Sequence, residues 1–579
     1  MSNNKQHPED KLWRKRLFLP AEVDLTSWKS IEPFYKDLLQ RPIGNSQELA
    51  HLIRDFDEMG RALIEKNVRL HIATTVDTSD QEAARKLQYF NEEILSKLND
   101  YTTRIIARFM ENPYRYQLDP DLYGHLEKLY QNELDLYVEE NVPLFLKAQN
   151  LIQRHSAIIG GITVEHDDQS YNLAKMSVYL QDPDRSVREA AWRAMGEEKI
   201  KVSEEVDEVF DELIKLRDKQ ARNAGFENFR DYRHQVYNRF DYTPVDCTRF
   251  HKTVLKHGVP VLKKIQQNRM KQLGITDLRP WDHDVDPGNL APLKPFRTVQ
   301  ELVNGAATLL DSIYPQLGNR LRELDGQGNL DLVTRPNKAM VGYNSVLEET
   351  GSSFIFMNSV GLHSDLKVLI HEVGHAIEKS ACLDRPFSEY RHAPMEWCEL
   401  ASQSHELLAL DHLDTIYPSE ADRKRCIANA MEDLIEFFPR IAKIDAFQHW
   451  LYTHPNHSRQ ERRQTWLTLC QKYGGLADYS GLEQHLEISW QIIAHLFLVP
   501  FYYIEYGIAQ LGALQIWRNV RENGNRAMKR FLGALELGFS KPLPDLYHQA
   551  GIRFEFYGPL FAELIKLVED EYYKNSADD

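Results

Sequence analysis

The sequence predicts a mainly helical fold with one small β-sheet, and two patterns lead to this prediction. Between residues 45 and 275, amphipathic patterns with charged faces and few glycines recur, as is typical of helices. Between residues 329 and 359, short extended runs alternate with Pro, Gly and Asn turns, which indicates strands. No period of about 20 to 50 residues repeats with matching side chains, so a helical solenoid is not expected.

The helical region is followed by a break. Its clearest helical segments are Glu82–Asn99, Leu126–Gln149 and Glu205–Ala224. Between Asp277 and Pro295, prolines, aspartates and a glycine accumulate, as expected of a surface connection rather than a helix.

Composition excludes several classes of protein. The 579 residues allow two to four ordinary domains, or two large lobes around one cleft. The formal net charge of -16 and the absence of a Lys/Arg block argue against a nucleic-acid partner. The five cysteines are few, odd in number and unpatterned, which predicts reduced, mostly buried thiols.

Neither a membrane location nor secretion is expected. Residues 1–20 are polar and charged without an apolar run, so they lack the pattern of a secretory signal. The most apolar long stretch, Leu496–Trp517, contains Pro500 and Glu505, which disfavours a transmembrane span. The sequence therefore predicts a cytoplasmic protein.

The extended runs predict a small sheet at about 329–359, just before the next helix. Leu330–Val333 and Ser353–Met357 are the predicted strands. An edge strand of this sheet could pair with an extended peptide through main-chain hydrogen bonds. A purely structural hairpin is the alternative.

The next helix carries the pattern His371-Glu372-Val-Gly-His375. Its two histidines lie one helical turn apart, so both imidazoles can bind one metal ion. Glu372 is then placed to take a proton from a water that zinc activates. The segment Leu362–Lys379 supports this reading, because it has no proline and carries apolar residues at helical spacing.

A catalytic zinc needs a third protein ligand, and Glu399 is the best candidate. It lies 24 residues after His375, on a predicted helix Met395–Leu410 that follows a turn-prone stretch. Glu396 and Glu406 lie on roughly the same face, so either could be the ligand or could accept a hydrogen bond from a histidine. Cys398 is not expected to bind the metal.

A second group of polar side chains lies near the C-terminus. His495 is followed by Tyr502, Tyr503 and Tyr506, which are spaced so that one helical face can carry several of them. Such donors suit the negative oxygen that forms when a peptide bond is attacked. A core or groove wall is the alternative for a tyrosine-rich helix.

Several separated motifs occur together in this chain. They are Phe354-Ile-Phe-Met-Asn-Ser-Val-Gly361, His371-Glu-Val-Gly-His375, Pro394-Met-Glu-Trp-Cys-Glu-Leu-Ala-Ser402, Asp445-Ala-Phe-Gln-His-Trp450, Pro500-Phe-Tyr-Tyr-Ile-Glu-Tyr506 and Arg217–Tyr232. In this order they resemble peptidase family M3, and within it the bacterial oligoendopeptidase F-like branch. The similarity runs from about residue 60 to 565 and is strongest after residue 330.

The resemblance implies a zincin-type, two-lobed helical peptidase with a deep central channel. We expect residues 1–200 to form an N-terminal helical lobe and residues 201–579 to form the catalytic domain. Folded proteins could not enter the channel, so short peptides are the expected substrates. We expect no nucleic-acid or membrane partner, and a monomer or weak oligomer.

The resemblance also implies roles for individual residues. One Zn²⁺ per chain would be bound by His371, His375 and Glu399, with Glu372 as the general base. His495, Tyr503 and Tyr506 would stabilise the oxyanion, and Tyr502 competes with Tyr503 because the local spacing differs among branches. Tyr502, Phe354 and Phe356 are the expected substrate contacts.

One residue departs from the family pattern. Many relatives carry a histidine where this chain has Glu378, which leaves the zinc ligands intact but puts local substrate contacts in doubt. The expected activity is zinc-dependent endopeptidase cleavage. The alternatives are a zinc carboxypeptidase of similar architecture, a catalytically silent peptide-binding protein, and a helical scaffold with an accidental motif.

Overall fold

We describe the fold from a computed structural model of the chain. It describes residues 16–576 apart from 289, 336 and 340. Residues 1–15, which make up most of the polar N-terminal segment, and residues 577–579 lie outside the described residues. The start of the first predicted domain and the end of the second therefore lie outside them too.

The described chain is largely helical, which confirms the predicted fold class. Helices and strands are numbered along the chain. In residues 16–293 they are α1 Trp28–Gln40, α2 Ser46–Val76, α3 Gln81–Phe90, α4 Ser96–Met110, α5 Pro120–Leu136, α6 Val142–Gly160, β1 Thr163–His166, β2 Gln169–Asn172, α7 Leu173–Met176, α8 Arg185–Asn223, α9 Phe229–Val236, α10 Pro244–Thr253 and α11 Val259–Leu273.

The second half of the chain contains the remaining elements. They are α12 Val299–Ile313, α13 Asn319–Gly326, β3 Leu330–Val333, β4 Tyr343–Leu347, β5 Ser352–Ser359, α14 His363–Cys382, α15 Ser388–Arg391, α16 Met395–Leu410, α17 Glu420–Thr453, α18 Arg459–Tyr473, α19 Glu483–Glu487, α20 Ala494–Leu498, α21 Tyr503–Asn523, α22 Asn525–Leu535, α23 Leu543–Ala550 and α24 Pro559–Ser576.

The chain forms two compact units, each built from three separate segments. The described residues of the first unit are 16–136, 294–419 and 512–554. Those of the second are 137–293, 420–511 and 555–576. Residue 200, the predicted domain boundary, lies within α8 of the second unit, and the extent of the predicted domains stays a prediction.

The predicted helical segment Glu82–Asn99 continues from α3 into α4 through a π-helical turn at Asn91–Leu95, whereas another predicted helix is interrupted. The segment Leu126–Gln149 was predicted as one helix, but α5 ends at Leu136 and α6 begins at Val142. Pro143 occupies the first turn of α6. A proline lacks the amide N–H and its ring clashes with the preceding turn, so it begins a helix more readily than it continues one.

A short hairpin in the second unit was not predicted. Strands β1 and β2 pair antiparallel, and the turn between them places Asp167 and Asp168 at positive φ angles of 48° and 57°. Aspartate tolerates this left-handed conformation better than most residues. The hairpin was missed because its strands are short and polar.

The sheet of the first unit has the strand order β3-β5-β4. Strand β3 runs parallel to β5, and β4 runs antiparallel to it. The two predicted strands are confirmed as β3 and β5, whereas β4 was not predicted. Because β5 is central, the run that carries Phe354 and Phe356 is not an edge strand, and β4 takes that position beside it.

Phe356 is part of the packing of this sheet. Its side chain is fully buried, and its ring stacks on Tyr343 with 5.0 Å between ring centroids. The Nζ atom of Lys338 lies 4.3 Å from the centroid of the Phe356 ring. A direct contact with a peptide, expected from the sequence, therefore does not fit Phe356. Phe354 is half-buried and pairs with Ser345 of β4.

Among the described residues, no helix combines the length and apolar character needed to span a membrane. The apolar stretch Leu496–Trp517 is divided between α20 and α21. The five cysteines all lie among the described residues, where they are buried and form no disulfide.

The start of helix α14 is fixed by the carboxylate of Asp365. The Asp365 carboxylate accepts hydrogen bonds from the backbone N–H groups of Val360, Gly361 and Leu362. These bonds and the helix dipole favour a helix that begins at this point. The apolar stripe predicted for this helix is buried, and consists of Leu366, Leu369, Ile370, Val373 and Ile377.

Helices α14 and α16 cross in close contact at Gly374. A Cβ atom added to Gly374 would lie 2.6 Å from the Cα atom of Ser402, which no side chain at this position could avoid. Only glycine permits this approach of the two backbones. The predicted bounds of α16, Met395–Leu410, are confirmed.

We expect Gly374→Ala to destabilise the protein and weaken metal binding, because the added methyl group forces α14 and α16 apart. Overpacking of this kind costs about 1 to 3 kcal/mol or more. Thermal unfolding and a zinc titration would measure both effects. Gly533→Ala is the control, since a Cβ atom added within α22 meets no atom within 4 Å. Equal melting temperatures for the two variants would contradict the role of the crossing.

Candidate metal centre

The crossing of α14 and α16 brings three possible metal ligands together. The Nε2 atoms of His371 and His375 lie 3.2 Å apart. Glu399 Oε2 lies 3.5 Å from His371 Nε2 and 3.9 Å from His375 Nε2. Four ligands around Zn²⁺ at about 2.0 to 2.1 Å are separated by about 3.3 Å, so these atoms need only small shifts to bind one ion. Their two nitrogens and one carboxylate oxygen also match the donors of catalytic zinc sites.

Glu406 supports the first histidine. The Nδ1 atom of His371 lies 2.6 Å from Glu406 Oε1, a hydrogen bond that fixes the imidazole and directs Nε2 toward the other ligands. Of the alternatives that the sequence left open, Glu406 thus lies where it accepts a hydrogen bond from His371, and Glu399 lies in the group of possible ligands. Glu396 is buried on α16 and is not part of the ligand group.

Ser402 supports Glu399 in a similar way. Its hydroxyl lies 3.2 Å from Glu399 Oε2 and 3.0 Å from the Glu399 backbone oxygen, and its side chain is fully buried. Ser402, whose backbone lies against Gly374 at the helix crossing, therefore also restrains the Glu399 carboxylate. Sequence analysis missed this role, although Ser402 lies one turn after Glu399.

Glu372, the residue after His371, is buried in the described structure. Its side chain is 8% exposed, and its carboxylate makes no hydrogen bond or ion pair with the described residues. Burial raises the pKa of Glu372 to about 7. Asn344 of β4 donates a hydrogen bond of 3.0 Å to the Glu372 backbone oxygen, so the edge strand is joined to the helix at this residue.

The two histidines have different electrostatic surroundings. Burial disfavours the charged form of His371, but the hydrogen bond to Glu406 and the charges of Glu406, Glu399 and Glu372 together outweigh burial and raise its pKa to about 9. For His375, burial and the nearby His371 both act in the same direction and hold the pKa well below its usual value. A neutral His375 can offer Nε2 to a metal without losing a proton.

The departure from the family pattern, Glu378, faces the protein interior. It is fully buried, and its carboxylate oxygens each lie 3.9 Å from a thiol sulfur, one of Cys382 and one of Cys398. Lys379 Nζ lies 3.6 Å from Glu378 Oε2. Glu378 is therefore part of the packing behind the metal centre, and Cys398 belongs to this group rather than to the ligand group.

The predicted His/Tyr segment forms an aromatic cluster within the second unit. The ring centroid of His495 lies 5.6, 4.9 and 5.9 Å from those of Tyr502, Tyr503 and Tyr506. Tyr506 Oη lies 3.5 Å from His495 Nε2. All four side chains are half-buried, so they can meet both solvent and a ligand. Both Tyr502 and Tyr503 contact His495, so the choice between them stays open.

A strained turn before α21 sets the position of these tyrosines. Phe501 has a φ angle of 70°, an unusual conformation for a bulky residue. Its backbone N–H donates to Gln448 Oε1 at 2.5 Å, and its carbonyl accepts from Arg239 Nη2 at 2.5 Å. Arg239 also forms a buried ion pair of 2.6 Å with Glu505. Sequence analysis missed this support, because Gln448 and Arg239 lie far from Phe501 in the chain.

A helix that carries His-Glu-x-x-His, with a glutamate ligand on a following helix, defines the zincin class of metal centre. The model of peptidase family M3 matches residues 178–564, and that of the peptidase M3 N-terminal domain matches residues 18–137. The chain belongs to peptidase family M3.

Individual relatives agree with this assignment. An oligoendopeptidase F homolog of Lactococcus lactis is 21% identical over 68% of this chain and 66% of its own length. Oligopeptidase PepF of Bacillus subtilis is 21% identical over 94% of this chain and 82% of its own length. The chain thus spans just under two thirds of the Lactococcus relative.

Solved structures share the fold. PZ peptidase A with inhibitor 2 superposes with a TM-score of 0.89 at 25% identity, covering 97% of this chain and 99% of that one. Oligoendopeptidase F of Enterococcus faecium has a TM-score of 0.61 at 13% identity, over 95% of this chain and 96% of that one.

We expect Glu406→Ala to lower the affinity for zinc about 10- to 100-fold, because His371 loses the acceptor that orients its ring. A titration against a chromophoric chelator would measure the affinity. Glu396→Ala is the matched control on the same helix and should bind zinc as the wild type does. If Glu406→Ala also binds zinc as tightly as the wild type, Glu406 is not needed to orient the His371 ring for metal binding.

Proposed function

We propose that this chain is a zinc-dependent endopeptidase that cuts internal bonds of short oligopeptides. The observation that carries the proposal is the convergence of His371, His375 and Glu399 beside a buried Glu372, whose carboxylate has no hydrogen-bond or ion-pair partner among the described residues. Bound there, one Zn²⁺ would supply a Lewis acid that polarises the scissile carbonyl and lowers the pKa of a water.

Glu372 has the main proton-transfer role in this proposal. Its carboxylate takes a proton from the attacking water and gives it to the leaving amine. Burial favours the neutral form of Glu372, which helps it hold the proton between the two steps. Glu406 and Ser402 keep the ligands oriented through their hydrogen bonds.

Strand β4 is the proposed docking edge for the peptide. It is an edge strand of the sheet, and Asn344 within it is bonded to the backbone of Glu372. An extended peptide that adds to such an edge is recognised through its main chain, whatever its sequence. Phe354, on the neighbouring strand, is retained as a proposed substrate contact.

The His/Tyr cluster is included for its chemistry and from the resemblance to family M3. His495, Tyr503 and Tyr506 offer an imidazole and two hydroxyls as donors to a developing oxyanion, with Tyr502 as the alternative to Tyr503. A two-lobed form with a deep channel, which would admit only short unfolded peptides, belongs to the same proposal. The cytoplasmic location and the monomeric or weakly oligomeric state stay predictions.

Cleavage mapping tests the function directly. We expect the wild type to cut a library of short peptides at internal bonds, to lose activity with a chelator and to regain it with zinc. Glu372→Gln should still bind zinc at His371 and His375 but lose about 10²- to 10⁴-fold in kcat. Mass spectrometry of the products would show each cut. Retained turnover by the metal-loaded variant would contradict the general-base role.

Peptides with amidated C-termini separate the endopeptidase from a carboxypeptidase. An endopeptidase should cut them as well as the free acids, whereas an enzyme that binds a terminal carboxylate should not. Binding of peptides without any cut, by the zinc-loaded wild type, would favour the silent peptide-binding protein instead.

Tyr506→Phe should lower kcat about 10²-fold or more with little change in KM, because its hydroxyl would act mainly in the transition state. Steady-state kinetics with a quenched peptide would measure both constants. Tyr573→Phe, on the last helix, is the control. A change confined to KM would make Tyr506 a binding residue, and comparison of Tyr502→Phe with Tyr503→Phe would decide between those two.

A further inference from the structure

A second group of possible metal ligands lies inside the second unit. His251 follows Cys247 by four residues on α10, and His449 follows Asp445 by four residues on α17. Side chains at this spacing share one helical face, and α10 packs against α17. One atom each of His251, Asp445 and His449 lies within 4.8 Å of the others.

The three side chains converge on one carboxylate oxygen. His251 Nε2 lies 2.7 Å from Asp445 Oδ2, which is a hydrogen bond. His449 Nε2 lies 3.3 Å from the same oxygen but without the alignment of a hydrogen bond. The ligands of the first centre, on α14 and α16, are 3.2 to 3.9 Å apart. In the second group, the His449–Asp445 distance falls in the same range, and the His251–Asp445 distance is shorter, so these two atoms would have to move apart slightly to bind one ion.

The charge of Asp445 needs a cation nearby. The side chain is fully buried, and among the described residues its ion-pair partners are His251 and His449, with no Lys or Arg. A buried carboxylate is costly unless a positive charge compensates it. Either a histidinium or a metal ion can fill this role.

Buried atoms without partners favour the metal. His449 Nε2 and Asp445 Oδ1 are buried and make no hydrogen bond with the described residues. Such atoms usually find a partner, and a coordinating ion would satisfy both. The arginines that face the cluster do not fill this role, because Arg230 pairs with Asp231 and Arg239 with Glu505.

We propose that His251, Asp445 and His449 bind a second divalent transition-metal ion, with Zn²⁺ the best match to two imidazoles and one carboxylate. Ca²⁺ and Mg²⁺ would instead require mostly oxygen ligands. His449 also lies within 4.8 Å of ligand atoms of His234 and Cys247. Of the two sets, the one with Asp445 is proposed because its carboxylate requires a cation.

The ion would have a structural role. It would join α10 to α17 next to Gln448, whose side chain holds the strained turn at Phe501. The ring of His449 lies 5.6 Å from that of Phe501 between centroids. Loss of the ion would therefore loosen the turn that precedes Tyr502 and Tyr503.

The test uses the full chain with the first centre removed. His371→Ala/His375→Ala protein is loaded with zinc, freed of excess metal by gel filtration and analysed for metal content. About one zinc ion per chain should remain, and the added change His449→Gln should remove it. His155→Gln is the control, because this buried histidine belongs to no ligand group and bonds to the Gln491 backbone oxygen.

A second measurement needs no substitution in the proposed site. Co²⁺ added to the His371→Ala/His375→Ala protein should produce the visible absorption of a low-coordinate site, and zinc should raise its melting temperature. If the His371→Ala/His375→Ala protein is folded but binds no zinc and gives no cobalt spectrum, the proposal is wrong. It is also wrong if the protein with the added change His449→Gln retains all of its zinc. These outcomes do not depend on whether the wild type cuts peptides.

Discussion

The close crossing of α14 and α16 is the constraint on which the candidate centre depends. At this crossing the backbone of Ser402 occupies the space that any side chain at position 374 would need. The same contact brings Glu399 opposite the two histidines and lets the Ser402 hydroxyl restrain its carboxylate. The candidate ligands, drawn from two helices, are thus held close together by protein contacts alone, and such preorganisation would limit the entropy lost on metal binding.

The surroundings of the centre divide the acidic side chains by function. Glu406 is engaged by His371, and Glu378 lies in a buried group with two thiols and a lysine. Glu372 alone among these is buried and without a partner in the described chain. Burial stabilises its protonated form, whereas a hydrogen-bonded carboxylate would give up its proton more readily. Position in the fold, and not residue type, therefore distinguishes the hydrogen-bonded glutamates from Glu372.

Local patterns in the sequence were sufficient for the helices that carry the ligands. The bounds of α16 could be predicted because Pro394 marks the start and an apolar run ends at Leu410. Strand β4 was missed because its sequence, Tyr343-Asn-Ser-Val-Leu347, has a polar middle and pairs only with a partner further along the chain. The contact of Gln448 with Phe501 could not be predicted either, since it depends on how distant segments pack. The contact of Ser402 with Glu399 lies within one helix and was overlooked. The spacing of residues along one helix can be read from the sequence, but contacts between separate elements depend on the complete fold.

Each compact unit takes its residues from three separate stretches, and this interleaving affects how the chain can fold. The first unit is not complete until residues 512–554 have left the ribosome, and the second also needs residues 555–576. Neither unit can finish folding during early synthesis in the way that consecutive domains do. Apolar surfaces that are synthesised early stay exposed until the segments that cover them have been synthesised. The nascent chain therefore passes through a long aggregation-prone stage, in which a chaperone would be of most use.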